Sequence, residues 1–203
     1  MALNPNAIVT LAQAKDFLGI ETLDTSQDTK VELLINAGSE RFEKHCDRKF
    51  ITQTYTEYHD GRRGNSLVLR HFPASQPSAV YDDPSWTFGA DTLVDSTTYT
   101  VEKDNVLRLK SSYFSPGNQN IKVTYQAGLG TLGTLPSDLV LACLLYVQFM
   151  YNVTNNNSIG LQSKSKGGES ISYIDGLPKH IAEMLEPYVR SEFALSGGAI
   201  RNG

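Results

Sequence analysis

The stretch Pro136–Met150, PSDLVLACLLYVQFM, constrains this chain more than any other. It is the most apolar run in the sequence, carries one formal charge (Asp138), and is closed by Tyr151. A run this long, entered through Pro, Ser and Asp, reads as a helix. Apolar side chains on nearly every side of it predict burial over most of its surface, Leu144 and Leu145 included. None of its residues bears chemistry. The first expectation is a protein that works by packing and assembly.

At 203 residues the chain suits one domain, or a small core carrying an inserted subdomain. Its 18 basic and 22 acidic residues give a net charge of −4, with no basic cluster. That balance argues against tight binding to a nucleic-acid backbone. Cys46 and Cys143 fall in apolar-patterned helices and read as small buried hydrophobes; a disulfide between them stays open. The opening MALNPNAIVT lacks a basic region followed by an apolar core, so no signal peptide is expected. The longest unbroken apolar run, Leu139–Val147, is well short of the roughly 20 residues of a membrane span. A chain made in a cytosol, with no membrane partner, is the expectation.

Thr10 and Gln13 have the spacing of a capping box, and Leu11, Ala14, Phe17 and Leu18 form one apolar face before Gly19. These features predict a helix over Leu11–Leu18. From Thr29 to Arg48 the apolar positions Val31, Leu34, Ile35, Gly38, Phe42 and Cys46 recur at helical spacing. Gly38 costs that helix roughly 1 kcal/mol against Ala, which points to another backbone packed close to it. The opposite side is charged, with Glu32, Glu40, Glu43 and Lys44. After Phe50, alternation and turn residues replace the helical period. Ile51–Tyr58, Ser66–Phe72, Ser78–Tyr81, Thr98–Lys103, Val106–Lys110 and Asn120–Gln126 read as strands, with Asp104-Asn105 as a two-residue hairpin turn. Beyond the apolar helix, Gly160–Ser172 reads as a loop and Ile171–Ile174 as a short strand. Pro178 opens a last helix, which Pro187 interrupts. The fold class is α+β: a mainly helical core of about four helices (8–49 and 136–195) with an inserted small antiparallel β subdomain (50–127). Residues 1–196 form one domain and 197–203 a flexible arm.

Two patterns invite chemistry. Gly128–Gly133 matches G-x-G-x-x-G after a strand and before a helix. A dinucleotide site needs its third glycine at the helix start; here Thr134-Leu135-Pro136 intervene, and Pro136 has no N–H to offer a phosphate. A flexible connection is the better reading, with a small-molecule-binding enzyme as the alternative. His45-Cys46 and His59-Asp60 fit no zinc spacing, and neighbours on a helix point about 100° apart. No catalytic residue, cofactor or metal is expected.

The order of motifs carries a resemblance. Val123–Tyr151, with a strand ending Tyr-x-Ala-Gly, a glycine-rich link, Pro-x-Asp-Leu and a Leu-Leu helix, resembles the head–tail connector (adaptor, head-completion) family of tailed bacteriophages. The opening TLAQAKDFLGI, the segment LLINAGSERFEKHCDRKF with its Cys46, Arg48 and Phe50, the Ile171-Ser-Tyr173 segment and Leu185-Glu-Pro-Tyr188 are similar to that family in the same order. The stretch Pro73–Asp95 departs from it by its length.

The resemblance implies a structural virion protein of the phage neck, made in the bacterial host cytoplasm. Such a protein is a homo-oligomer, a ring typically of about twelve subunits. Its partners are the portal protein and the next neck or tail-completion protein. DNA passes through the ring without sequence-specific binding. Another tail-completion module is the structural alternative. In this setting Glu32, Glu40, Glu43 and Lys44 are candidate subunit contacts. Lys164, Lys166 and Glu169 form a candidate channel or neighbour loop, and Ile200 and Arg201 a candidate portal-binding arm.

Overall fold

A computed structural model describes residues 2–103, 105–155, 173–174 and 176–190. The candidate residues Lys164, Lys166, Glu169, Ile200 and Arg201 lie outside the described residues, as do Asp104 and the loop 160–172. The fold is α+β, with four helices, two three-stranded antiparallel sheets and one two-stranded pair among the described residues. The chain divides into two compact units, residues 1–51 with 130–189 and residues 52–129 with 190–203.

The first unit is helical. α1 (Leu11–Leu18) starts at the predicted capping box: the Thr10 hydroxyl accepts from the Gln13 N–H, and the Gln13 side chain accepts from the Thr10 N–H. Gly19, at φ 70°, ends it. Lys15 is buried, with Nζ donating to Asp28 and to the carbonyls of Thr22 and Asp24. It ties α1 to the start of α2 (Asp28–Cys46). α2 buries Val31, Leu34, Ile35, Gly38, Phe42 and Cys46. A Cβ on Gly38 would lie 3.0 Å from the Tyr146 ring, so the close approach is made by a side chain and not by another backbone.

α3 (Ser137–Asn155) and α4 (Lys179–Leu185) complete the helices. α3 packs on α1, α2 and α4 through Leu139, Ala142, Cys143, Tyr146 and Val147. Its other side is less covered than the sequence predicts: Leu141 is 43% exposed and Leu144 and Leu145 are half-buried. By length and composition α3 is long and apolar enough to cross a membrane, and 28% of its most apolar stretch is buried within the fold. α4 starts one residue after Pro178, which makes no side-chain capping bond, and a 3₁₀ turn at Glu186–Tyr188 takes up Pro187. The Tyr188 hydroxyl donates to Asp138 at the start of α3.

The second unit is β. β1 (Gln53–Gly61), β6 (Gly117–Ala127) and β3 (Ala79–Asp82) form one sheet in the order β1-β6-β3. β2 (Ser66–Val68), β5 (Val106–Leu109) and β4 (Tyr99–Glu102) form the other, in the order β2-β5-β4. β2 is shorter than the predicted Ser66–Phe72: the Leu69 N–H still bonds the Asn105 carbonyl in register with β5, and the chain bends away from Arg70 on. Alternation places Ile121, Val123, Tyr125 and Ala127 of β6 in the core with Leu69, Val80, Tyr99, Leu107, Leu109 and Phe114. At the far end of β1, a Cβ on Gly61 would sit 1.7 Å from the Ser115 carbonyl oxygen, so only glycine fits there. β7 (Tyr173–Ile174) and β8 (Leu177–Pro178) are a short pair in the first unit.

Candidate functional site

The charged side of α2 was the first candidate surface. Glu40 and Lys44 are exposed and Glu32 is half-buried. Glu43 is not on that surface: it is 7% exposed, and its carboxylate accepts from Lys49, which returns to it just past the helix end. Burial pushes the Glu43 carboxyl up, against the pull of Lys49. The outward side of α2 also carries Leu33 and Ala37, both exposed, one turn apart.

The residues with chemical potential are tied into packing. Cys46 and Cys143 are buried free thiols, and burial pushes each up to about 12, so both stay protonated and unreactive at neutral pH. His45 is half-buried beside the fully buried Cys46, as neighbouring positions on one helix require. Among the described residues no three His, Cys, Asp or Glu side chains gather as metal ligands. The Gly128–Gly133 link closes on the residue beyond it: the Thr131 N–H donates to the Thr134 hydroxyl, and the Thr134 backbone N–H donates to the Thr131 carbonyl. Its N–H groups do not head a helix, since α3 begins only at Ser137.

Sequence reasoning missed two polar constructions in the β unit. The first is centred on Glu57, 8% exposed, facing inward from β1. Its carboxylate accepts from the Tyr125 hydroxyl, from His59 at 3.0 Å and from the Arg70 N–H at 3.2 Å. Burial would raise its pKa, but those three donors outweigh it and hold the carboxyl below its ordinary value. Burial and the Glu57 charge together push the Tyr125 phenol up. The His71 ring stacks on Tyr55 at 3.6 Å, and the His71 backbone N–H donates to the Tyr125 hydroxyl oxygen. His59 and Arg70 also line an open cleft of about 370 Å³ with Arg62 and Ser66.

The second construction is the loop after β3. Asp83 is buried, and its carboxylate accepts from the N–H groups of Ser85, Thr87 and Phe88 and from the Thr87 hydroxyl. These bonds, the Thr87 hydroxyl foremost, hold its carboxyl low. They also hold Trp86 and Phe88 at φ 61° and 48°, a left-handed conformation costly for aromatic residues. The Trp86 N–H donates to the Asn118 carbonyl, and its ring stays 59% exposed. With Tyr58, Phe88, Asn118 and Gln119 it lines a hollow of about 280 Å³. The only sequence signal for this loop is Asp83-Pro84-Ser85, a turn-forming triplet.

A helical unit with one partly covered apolar helix, a β unit that presents aromatic rings, and buried thiols and carboxylates tied into packing make up an α+β protein. The family can be stated. The profile of the head completion proteins matches residues 7–191, and the chain belongs to that family. Solved structures share the fold. A chain of the neck of an empty gene transfer agent (GTA) particle computed with C6 symmetry is 17% identical, with 94% of each chain covered and a TM-score of 0.63. A chain of the native GTA virion is 17% identical, covering 94% of this chain and 93% of its own, at a TM-score of 0.61. A chain of the native GTA neck computed with C12 symmetry is 16% identical, covering 94% and 96%, at 0.60. No curated protein matches the sequence.

Proposed function

We propose that this chain is a non-enzymatic ring subunit of the virion neck, seated beneath the portal protein. There it extends the DNA channel and docks the next neck or tail-completion protein. One observation carries the reading: a head completion protein whose fold runs over 94% of its length with a chain of a neck computed with C12 symmetry. The net charge of −4 suits a channel through which DNA slides without adhering, since like charges disfavour contact.

Within this reading, residues 1–196 act as one connector domain. Glu32, Glu40 and Lys44 lie at the rim of the contact between copies. The loop with Lys164, Lys166 and Glu169 meets the channel or a neighbour, and the arm with Ile200 and Arg201 reaches the portal. The chain is made in the bacterial cytoplasm and ends in the particle. The test is co-sedimentation with purified portal. The full chain should travel with portal particles at a fixed ratio, and a chain ending at Leu195 should bind more weakly. Portal that sediments alone, at every ratio tried, would contradict the proposal.

A further inference from the structure

A lone exposed leucine is ordinary, but Leu23 is held in water by construction. At 93% it is the most exposed large apolar side chain among the described residues. The Asp24 N–H donates to the Glu21 carbonyl, which closes a turn with Thr22 and Leu23 at its tip. The buried Lys15 ammonium clasps the carbonyls of Thr22 and Asp24, one on each side of Leu23. Glu21 and Asp24 are themselves exposed. The first unit thus carries a fixed knob with an apolar tip and acidic flanks.

The β unit carries a socket of opposite character. The hollow lined by Tyr58, Trp86, Phe88, Asn118 and Gln119 measures about 280 Å³. A small-molecule pocket runs from ~300 to ~1,000 Å³, so this hollow suits a side chain better than a whole ligand. Its rings are set in advance: the Asp83 bonds hold Trp86 and Phe88, and Phe88 meets Tyr58 edge-on at 5.6 Å. Rings fixed before binding lose little entropy on contact. Tyr58 and Gln119 also wall the neighbouring cleft, so Arg62 and Arg70 open onto the same surface. The Arg62 guanidinium reaches Asp60 only at 3.6 Å, and among the described residues no ion pair engages that of Arg70. Lys122 lies 5.5 Å from the centre of the Phe88 ring. The rim is cationic on a chain whose net charge is −4. Trp, Tyr and Arg are the residues that dominate binding energy in protein contacts.

We infer that Leu23 of one copy seats in this hollow on the next copy, with Glu21 and Asp24 turned toward the charges of Arg62, Arg70 and Lys122. The inference rests on the ring reading above. Knob and socket are different patches of one chain, so the contact runs head to tail, the kind that closes a ring of more than two copies. Charge and shape together select the knob. Leu33 and Leu141 lie along α2 and α3 and do not project. Leu132 has no acidic neighbour, and Val189 sits beside Arg190, a like charge to the rim. Leu93 has Asp91 and Asp95 near it, but its bridge to Tyr81 ties it to β3 and leaves it half-covered.

Trp86 is the sole tryptophan, so its emission reads the hollow directly. The full chain is titrated in concentration, with ring formation followed by sedimentation and Trp86 by fluorescence. Wild-type emission should shift to the blue as rings form. Leu23→Ser should keep the wild-type circular dichroism and raise the concentration for half-assembly by about tenfold or more. Leu93→Ser should assemble as the wild type does. Arg62→Glu should weaken assembly, and adding Glu21→Arg to the same chain should restore part of it. Leu23→Cys mixed with Asn118→Cys and oxidised should give a mixed dimer several-fold above either variant alone, since the native thiols are buried. Rings that form with unchanged Trp86 emission, or at the wild-type concentration in Leu23→Ser, overturn the inference and leave the ring reading standing. Emission that shifts when duplex DNA is added to single chains, and not when rings form, overturns it in favour of a nucleic-acid contact. A wild type that forms no rings, alone or with portal, overturns the ring reading and this contact with it.

Discussion

The two sides of α3 make opposite predictions for one kind of substitution. Leu139 is fully buried against the other helices, whereas Leu141, two residues on, is 43% exposed. Leu→Ala carries the same small helix-propensity change at both sites, so the difference between them reports burial. Leu139→Ala removes the side chain's transfer free energy and leaves a cavity in a packed site, a loss of about 3 kcal/mol. Full burial of a leucine side chain stabilises by about 2 kcal/mol, so truncating the half-covered Leu141 should cost about 1 kcal/mol or less. For a chain of this size each kcal/mol moves Tm by about 3 °C, which predicts losses near 9 °C and at most 3 °C. Both variants are to be measured by circular dichroism at one low protein concentration, because assembly adds concentration-dependent stability. Equal losses from the two variants at low concentration would refute the assignment of inner and outer faces.

Two buried glutamates should answer pH in opposite senses. The folded-state pKa of Glu57 is lowered, so its contribution is present above about 4.5 and is lost as pH falls through the folded value. Glu57→Gln should therefore cost about 2 kcal/mol at pH 7, with the gap to wild type closing in acid, as measured by urea titration across pH. Glu43 is raised, so its contribution is full below about 4.5 and fades as pH rises through the folded value. Glu43→Gln should be neutral or stabilising at pH 7; a large loss there would contradict the burial argument. Trp86 is the sole tryptophan, so its fluorescence reports the loop after β3. Asp83→Ala should red-shift and quench that emission while leaving the helices intact, and an unchanged spectrum would show that Asp83 does not hold the loop.

Local signals in the sequence were enough for much of the fold class. The Thr10–Gln13 box and Gly19 bound α1 at both ends because capping is decided within a few residues. The 3.6-residue spacing from Val31 to Cys46 marks α2, and alternation marks β6, because each has one face in a core. The outward side of α3 was not legible, since a run apolar on every side has no period to show which side packs. Glu43 was misplaced because its inward turn depends on Lys49 returning beyond the helix end. The Glu57 network was hidden for a related reason: Tyr125 reaches it only through the β1–β6 pairing, across 68 positions. The loop around Asp83 rests on four hydrogen bonds to a single side chain, and composition does not display such a clamp.

The central claim, a ring seated at the portal, is tested most directly by negative-stain imaging of the purified full-length chain with and without its portal. The account predicts closed rings in end view, coaxial with the portal when both are present and sharing its channel. A chain that remains single at high concentration and leaves the portal bare would contradict it.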